Sequence, residues 1–359
     1  MQEFTLVFIS AFIVLFGARR AAPAIGLVDK PNIRKQHHGD VPLVGGVSIY
    51  LALWVLYALQ PEWLPYFPLY MVCTGALLIV GVLDDRFDLP VLPRIVLQAL
   101  VAVVMMYAGL YLTSLGNAPF GYEIFLGVWG YVITLFAVWG AINAFNMIDG
   151  IDGLLGALSC VTFGALAVLF YFGGQGELAQ WSLCMLAATL PYLLLNLGVC
   201  GDKFKVFMGD AGSTLIGFTV IWLLVLATQG EEAVMHPVTA LWLIAIPLMD
   251  MVTVMIRRTL RGYSPFKSDR EHIHHILLRS GLTPRLALSM IVGAAILFAA
   301  IGIISERNGV SESIMLSVFL VAFVGYFWST PRVWRVVAGF RRISHGRQNT
   351  LMNRMAQRR

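Results

Sequence analysis

"LGVWGYVITLFAVWGAINAFNMIDGIDGLLGALSCVTFGALAVLFYF", residues 126–172, decides the fold class of this chain. It holds two apolar runs, 126–142 and 154–172. Each comes close to the roughly 20 mostly apolar residues that a membrane-crossing helix needs. Between them lie Asn143, Asn146, Asp149 and Asp152. A turn needs Gly, Asn or Ser. It does not need two acids three residues apart, so this junction is where chemistry is to be sought.

The same pattern extends in both directions. The chain has 359 residues, of which 58% are hydrophobic and 13% charged. Soluble domains carry about 45–50% apolar and about 25% charged residues. Eleven apolar segments are candidate spans, near 3–19, 43–60, 67–83, 94–114, 126–142, 154–172, 181–198, 213–229, 237–256, 286–304 and 313–330. The expected fold is an all-α polytopic membrane protein of about eleven transmembrane helices. Residues 1–330 form one integral membrane unit. Residues 331–359 form a basic tail, in which "RVWRVVAGFRRI" suits an interfacial amphipathic helix.

Lys and Arg orient the bundle. With the N-terminus outside and the C-terminus in the cytoplasm, 24 of the 25 basic residues fall in inner loops or their flanks, and only Arg307 falls outside. The inner loops are then 20–42, 84–94, 143–153, 199–212 and 257–285. The net charge of +5 reflects this topology and contact with anionic lipid. No compact basic domain is present to bind nucleic acid. The first apolar run precedes Arg19 and Arg20, the reverse of a signal peptide, and reads as an uncleaved helix. The four cysteines lack metal-ligand spacing, and small apolar packing accounts for them.

This orientation sorts the acids. All eleven Asp residues lie on or near the cytoplasmic side, and eight of the nine Glu residues lie on the other. Gathered carboxylates are what a hard divalent cation needs. "GVLDDRFDLP" places Asp84, Asp85 and Asp88 within five residues at the inner end of the third span. Such acids repel one another unless a cation sits among them, and Arg86 or a metal ion can serve. "KVFMGDAGSTLIGF" sets Asp210 between glycines before the eighth span, which suits either an anion at a helix N-terminus or a plain helix cap.

The largest inner loop holds Arg257, Arg258, Arg261, Lys267 and Arg270, with His272, His274 and His275. Arginines there can clamp phosphates. Zinc is disfavoured because the remaining ligands are oxygens. Asp29, Lys30, Arg34, Lys35, His37 and His38 form a mixed polar patch in the first inner loop, able to hold a second phosphate. Asp250 alone lies within a span, and Arg257 seven residues on is placed to neutralise it. Carboxylates, a divalent cation, arginines and a membrane surface together suit phosphoryl transfer involving a lipid. No GxxxxGK[ST] sequence supports a P-loop ATPase.

"DDRFD", "NAFNMIDGIDGL", "FMGDAGSTLIGF" and "REHIHHILLRSG" resemble, in order, the four signature segments of the polyprenyl-phosphate N-acetylhexosamine-1-phosphate transferases. The resemblance covers nearly the whole chain. "GLVDKPNIRKQHHGDVPLVGG" and the "HIHH" spelling narrow it to bacterial members. It implies transfer of GlcNAc-1-phosphate from UDP-GlcNAc to undecaprenyl phosphate with Mg²⁺ or Mn²⁺, at the cytoplasmic face of a bacterial inner membrane. The product would prime O-antigen or a related surface glycan. It also implies roles. Asp84 and Asp85 would hold the metal-diphosphate or handle the lipid phosphate. Asp149 and Asp152, with Asn143 and Asn146, would shape the nucleotide and metal site. Asp210 would ligate the metal. His272, His274 and His275, with Arg258, would bind the diphosphate or sugar, and Asp29 and Lys30 would contact substrate. A homodimer is compatible with this reading. A prenyltransferase would also use Asp-rich boxes, but leaves the Gly-Asp-Ala-Gly and His-rich segments idle. An ion-coupled transporter would place its polar groups near the midplane.

Overall fold

The computed structural model describes residues 2–30, 39–117, 122–264, 271–330 and 332, together with Met1. The tail helix expected after residue 331 lies outside the described residues, as do Arg34, Lys35, His37, His38, Lys267 and Arg270. The chain is an all-α polytopic membrane protein. Its helices are α1 Gln2–Ile25, α2 Gly45–Leu59, α3 Phe67–Phe87, α4 Val91–Tyr107, α5 Trp129–Ile148, α6 Leu154–Phe172 and α7 Gly176–Asn196. They continue as α8 Gly209–Thr228, α9 Pro237–Leu243, α10 Ala245–Leu260, α11 Ile273–Arg279, α12 Pro284–Arg307 and α13 Glu312–Ser329.

Eight of these helices are long and apolar enough to cross a bilayer. The pair α9 and α10 makes a ninth if counted together, and α2 and α4 are shorter apolar helices. Each of the eleven apolar segments read from sequence coincides with one helix or with this pair. The segment 237–256 is not one straight span, however. It bends by 84° between α9 and α10. Pro247 has no N–H to give to the carbonyl of Leu243 four residues back, so the helix ladder breaks there. The Thr162 hydroxyl of α6, which bonds the Leu158 carbonyl of its own helix at 3.1 Å, also lies 3.3 Å from that carbonyl and shares its proton with it.

α8 is the central helix, buried along nearly its whole length. It packs chiefly on α3 and α5, and its first turn is gripped from two sides. A Cβ on Gly81 of α3 would overlap the Ala211 backbone, and a Cβ on Gly46 of α2 would overlap the Gly212 backbone. Absent side chains thus let three helices approach at one level, as small residues do between membrane helices. The carbonyl of Phe207, just before α8, accepts the amides of Val44 and Gly45 and closes the start of α2. A short antiparallel ribbon, β1 Val28–Asp29 with β2 Val41–Pro42, completes this corner.

The two ends of the bundle differ in chemistry. At one end Asp84, Asp85, Asp210 and Asn146 meet. At the other, His236 and Thr239 of α9 bond Glu306 of α12, and Glu312 of α13 accepts the Asn117 amide at 3.0 Å. The acids of the first cluster are thus Asp and those of the second Glu.

Substituting Gly81 by Val tests the helix grip. The added carbons meet backbone, which cannot rotate away, so a loss of about 1–3 kcal/mol is expected. The apparent melting temperature in detergent should fall, whereas Gly293→Ala, with open space around it, should leave it unchanged.

Candidate active site

The N-terminus of α8 organises the acid-rich end. Asp85, in the last turn of α3, turns both carboxylate oxygens onto it, accepting from the Asp210 amide at 2.7 Å and the Ala211 amide at 3.2 Å. Two otherwise orphaned amides are satisfied by a carboxyl group at the positive end of the helix dipole. Gly209 makes this possible. Its φ of 74° is left-handed, and a Cβ there would collide with the Asp85 carboxylate. Asp210 begins the helix with its side chain turned the other way. Its Oδ1 accepts from Asn146 Nδ2 at 2.6 Å, and its Oδ2 lies 3.4 Å from Arg94 Nη1. Asn146 also donates to Ser213 Oγ at 2.8 Å.

Arg94 links the boxes. It pairs with buried Asp84 as well as with Asp210, while the other Asp84 oxygen accepts the Leu89 amide at 2.9 Å. Read along the chain, Arg94 is one more inner-loop cation. Its place ten residues after Asp84, at the start of an apolar helix, is the signal that it belongs to the site. Asn196 is a second residue that sequence reasoning misses. Buried at the end of α7, it accepts the Gly153 amide at 2.5 Å and donates to the Val206 carbonyl at 2.8 Å. It thereby ties the 149–153 loop to the segment leading into α8.

Beside these groups opens a cavity of about 330 Å³. Asn143, Asn146, Asp149, Arg94, Arg258, His272, His274 and His275 line it, and Val91, Ile95 and Ile142 give it an apolar wall. Asn143 donates to its own helix at Trp139 O, 2.8 Å, which fixes the amide. Asp149, at the end of α5, is reached by water from the cavity. The protein surrounding it, then Asp210 and Asp152, push its carboxyl up to about 7. His274 is 1% exposed and packs on Gly150, and no hydrogen-bond partner among the described residues reaches either ring nitrogen. Burial, then neighbouring His275, push its imidazolium down to about 3, so the ring is neutral near pH 7.

Some expected site residues stand elsewhere. Asp152 faces Lys205 Nζ at 2.6 Å and does not line the cavity. Asp29 sits half-buried on the β-ribbon and Lys30 is exposed at its end, neither on the cavity wall. Asp84 joins Asp210 and Arg94 in a small adjoining pocket. Asp250 does not pair with Arg257. Its carboxylate takes other donors, and Arg257 donates to the Phe327 carbonyl and stacks over that ring. Among the described residues no three His, Cys, Asp or Glu side chains are arranged to hold a metal ion. The donor set is still of the right kind. Mg²⁺ commonly takes one or two protein carboxylates and completes its shell with water and substrate phosphates, and the Asp210 side chain is 40% exposed beside Asp84.

The neutral His274 predicts an acid sensitivity. Its folded value lies below the ordinary 6.5, so below about pH 6.5 the undocked loop takes up a proton that the docked loop refuses. Docking then weakens as pH falls. Amide hydrogen exchange over 273–279, corrected for intrinsic rates, should quicken from pH 7.5 to 5.5. In His274→Gln that change should be much smaller.

The family model described as glycosyl transferase family 4 matches residues 67–228, from α3 to the end of α8. The undecaprenyl-phosphate alpha-N-acetylglucosaminyl 1-phosphate transferase of Yersinia pestis is 52% identical over 98% of this chain and 97% of that one. The protein of the same name from Escherichia coli (strain K12) is 52% identical over 94% and 92%. That of Haemophilus influenzae is 48% identical over 96% and 97%. With about half of its residues shared along nearly its whole length, and with its central helices matched, the protein belongs to the polyprenyl-phosphate N-acetylhexosamine-1-phosphate transferases of glycosyl transferase family 4.

Proposed function

We propose that the protein transfers GlcNAc-1-phosphate from UDP-GlcNAc to undecaprenyl phosphate at the cytoplasmic face of a bacterial inner membrane. The printed activity of its relatives supports this. The observation in this chain that carries it is the convergence of four distant segments on one cleft. Asp84 and Asp210 are joined by Arg94, Asn146 is bonded to Asp210, and Arg94 and Asn146 line one cavity with the histidines of α11 and its cap. The cleft has a polar wall for a diphosphate and an apolar wall for a lipid. Its loops are those rich in Lys and Arg, which favours the cytoplasmic side.

In this reading an oxygen of the lipid phosphate attacks the sugar-bearing phosphorus of UDP-GlcNAc. The bond from that phosphorus to the bridging oxygen breaks, and UMP leaves with the electron pair. A phosphate dianion needs little activation at neutral pH, so direct attack without a phosphorylated enzyme is favoured. Arg94 and Arg258 supply fixed positive charge near the transferred group, and a protein cleft holds such charge without reorganisation. Asn143 and Asn146 orient donors through locked amides. Mg²⁺, or Mn²⁺, would be held by Asp210 with Asp84 beside it, and would neutralise diphosphate charge. Asp85 shapes the site by holding the α8 N-terminus.

The activity test uses membranes containing the protein, radiolabelled UDP-GlcNAc and undecaprenyl phosphate, with Mg²⁺ or EDTA. Metal-dependent labelled lipid with UMP release is expected. Labelled lipid with UDP release would mean that the sugar alone moves. No label from any UDP-sugar, with folded protein, would remove the reading. Two variants separate roles. Asp210→Asn should lower turnover on the order of 10²–10³-fold with its melting temperature unchanged. Asp85→Ala should also destabilise the protein, by about 0.5–2 kcal/mol, through loss of the helix cap.

A further inference from the structure

Asp250 is a buried acid to which the reaction assigns no role. It lies in α10 and is 1% exposed. A carboxylate so placed loses several kcal/mol of hydration unless hydrogen bonds replace it. Three donors do so. His272 Nδ1 lies 2.7 Å from Oδ2, the Ile273 amide donates to Oδ1 at 2.9 Å, and the Tyr326 hydroxyl of α13 donates to Oδ1 at 2.7 Å. The first two belong to the cap and first residue of α11. One side chain therefore grips both the ring of His272 and the start of the helix that carries His274 and His275. His272 is itself 6% exposed and lines the cavity. With Nδ1 committed to Asp250, Nε2 is the remaining polar atom of the ring.

We propose that Asp250, supported by Tyr326, is a positioning residue. It holds His272 in the tautomer protonated on Nδ1 and presents Nε2 to the diphosphate of the nucleotide sugar, an inference that rests on the transferase reading. Carboxylates that orient a functional imidazole from behind set its tautomer in the same way. The bundle gains a physical link. α13, whose first turn contacts the far end through Glu312, reaches the reaction end through Tyr326. In Asp250→Asn the amide oxygen can keep the Ile273 and Tyr326 bonds. Its NH₂ then faces His272 Nδ1 and selects the opposite tautomer.

The test joins a double-mutant cycle to a direct look at the ring. Asp250→Asn should lower kcat about 10–100-fold, with KM for UDP-GlcNAc within about threefold and melting unchanged. In a His272→Asn background the same substitution should cost little more, because both act through one ring. Losses that multiply in the double variant would overturn the proposal. If Asp250→Asn does not fold, Tyr326→Phe, which removes one donor to the same carboxylate, takes its place in the cycle. The second readout needs no turnover. ¹⁵N NMR of labelled histidine, assigned with His272→Asn, should show His272 protonated on Nδ1 in the unsubstituted protein. It should show the Nε2-protonated tautomer in Asp250→Asn. An Nε2-protonated His272 in the unsubstituted protein would sink the idea whatever the assay gives. If the tautomers are as expected but no labelled lipid forms, the transferase reading fails and the positioning geometry stands.

Discussion

The grip of Asp85 on the first amides of α8 is the interaction on which the rest of the acid-rich end depends. A helix N-terminus buried in a membrane protein has amides that water cannot reach, and each needs a partner. Asp85 supplies two acceptors from a neighbouring helix. This anchors α8 at one depth and one rotation, so that Asp210 emerges toward Asn146 and Arg94. The glycine contacts at Gly46 and Gly81 enforce the same placement by sterics. Neighbouring acids in one motif thus divide their labour. Asp85 builds the helix start, Asp84 holds an arginine, and Asp210 is left turned toward the cleft.

Charge balance explains the remaining arrangement. Asp84, Asp85, Asp149 and Asp210 lie close together, and like charges so placed repel. Arg94 offsets two of them directly. Asp152, which has Lys205, is drawn away from the cleft. The histidine segment lines the same cavity as Asn146 and Asp149, and Asp250 bonds its cap and first residue. Docking a neutral His274 against Gly150 brings a polar ring beside Asp149 without adding a charge.

The bend between α9 and α10 shows how a local rule serves a distant site. Pro247 breaks one backbone bond, and the Thr162 hydroxyl of another helix shares its proton with the loose carbonyl. The turn redirects α10, so that Asp250 stands behind His272 and Arg258 reaches the cleft. A straight span would carry them elsewhere. Hydropathy cannot register such a bend, because it counts apolar residues and is blind to their direction.

Much of this was legible in the chain itself. The apolar runs and the Lys and Arg bias follow from the cost of burying backbone and charge in lipid, which acts on composition alone. The motifs "DDRFD", "NAFNMIDGIDGL", "FMGDAGSTLIGF" and "REHIHHILLRSG" announced the site because polar clusters at span ends have few other uses. Partners were another matter. Arg257 looked like the counter-charge of Asp250 by spacing on one helix, yet His272 and Tyr326 hold that acid from segments 22 and 76 residues away. Arg94 and Asn196 carry no motif, and their importance comes from what they touch. Sequence alone determined which residues must leave the lipid and at which helix ends. Only tertiary structure decided which met, because side-chain pairing across helices depends on their depth, rotation and bending, which glycine contacts, a proline and one capping carboxylate set together.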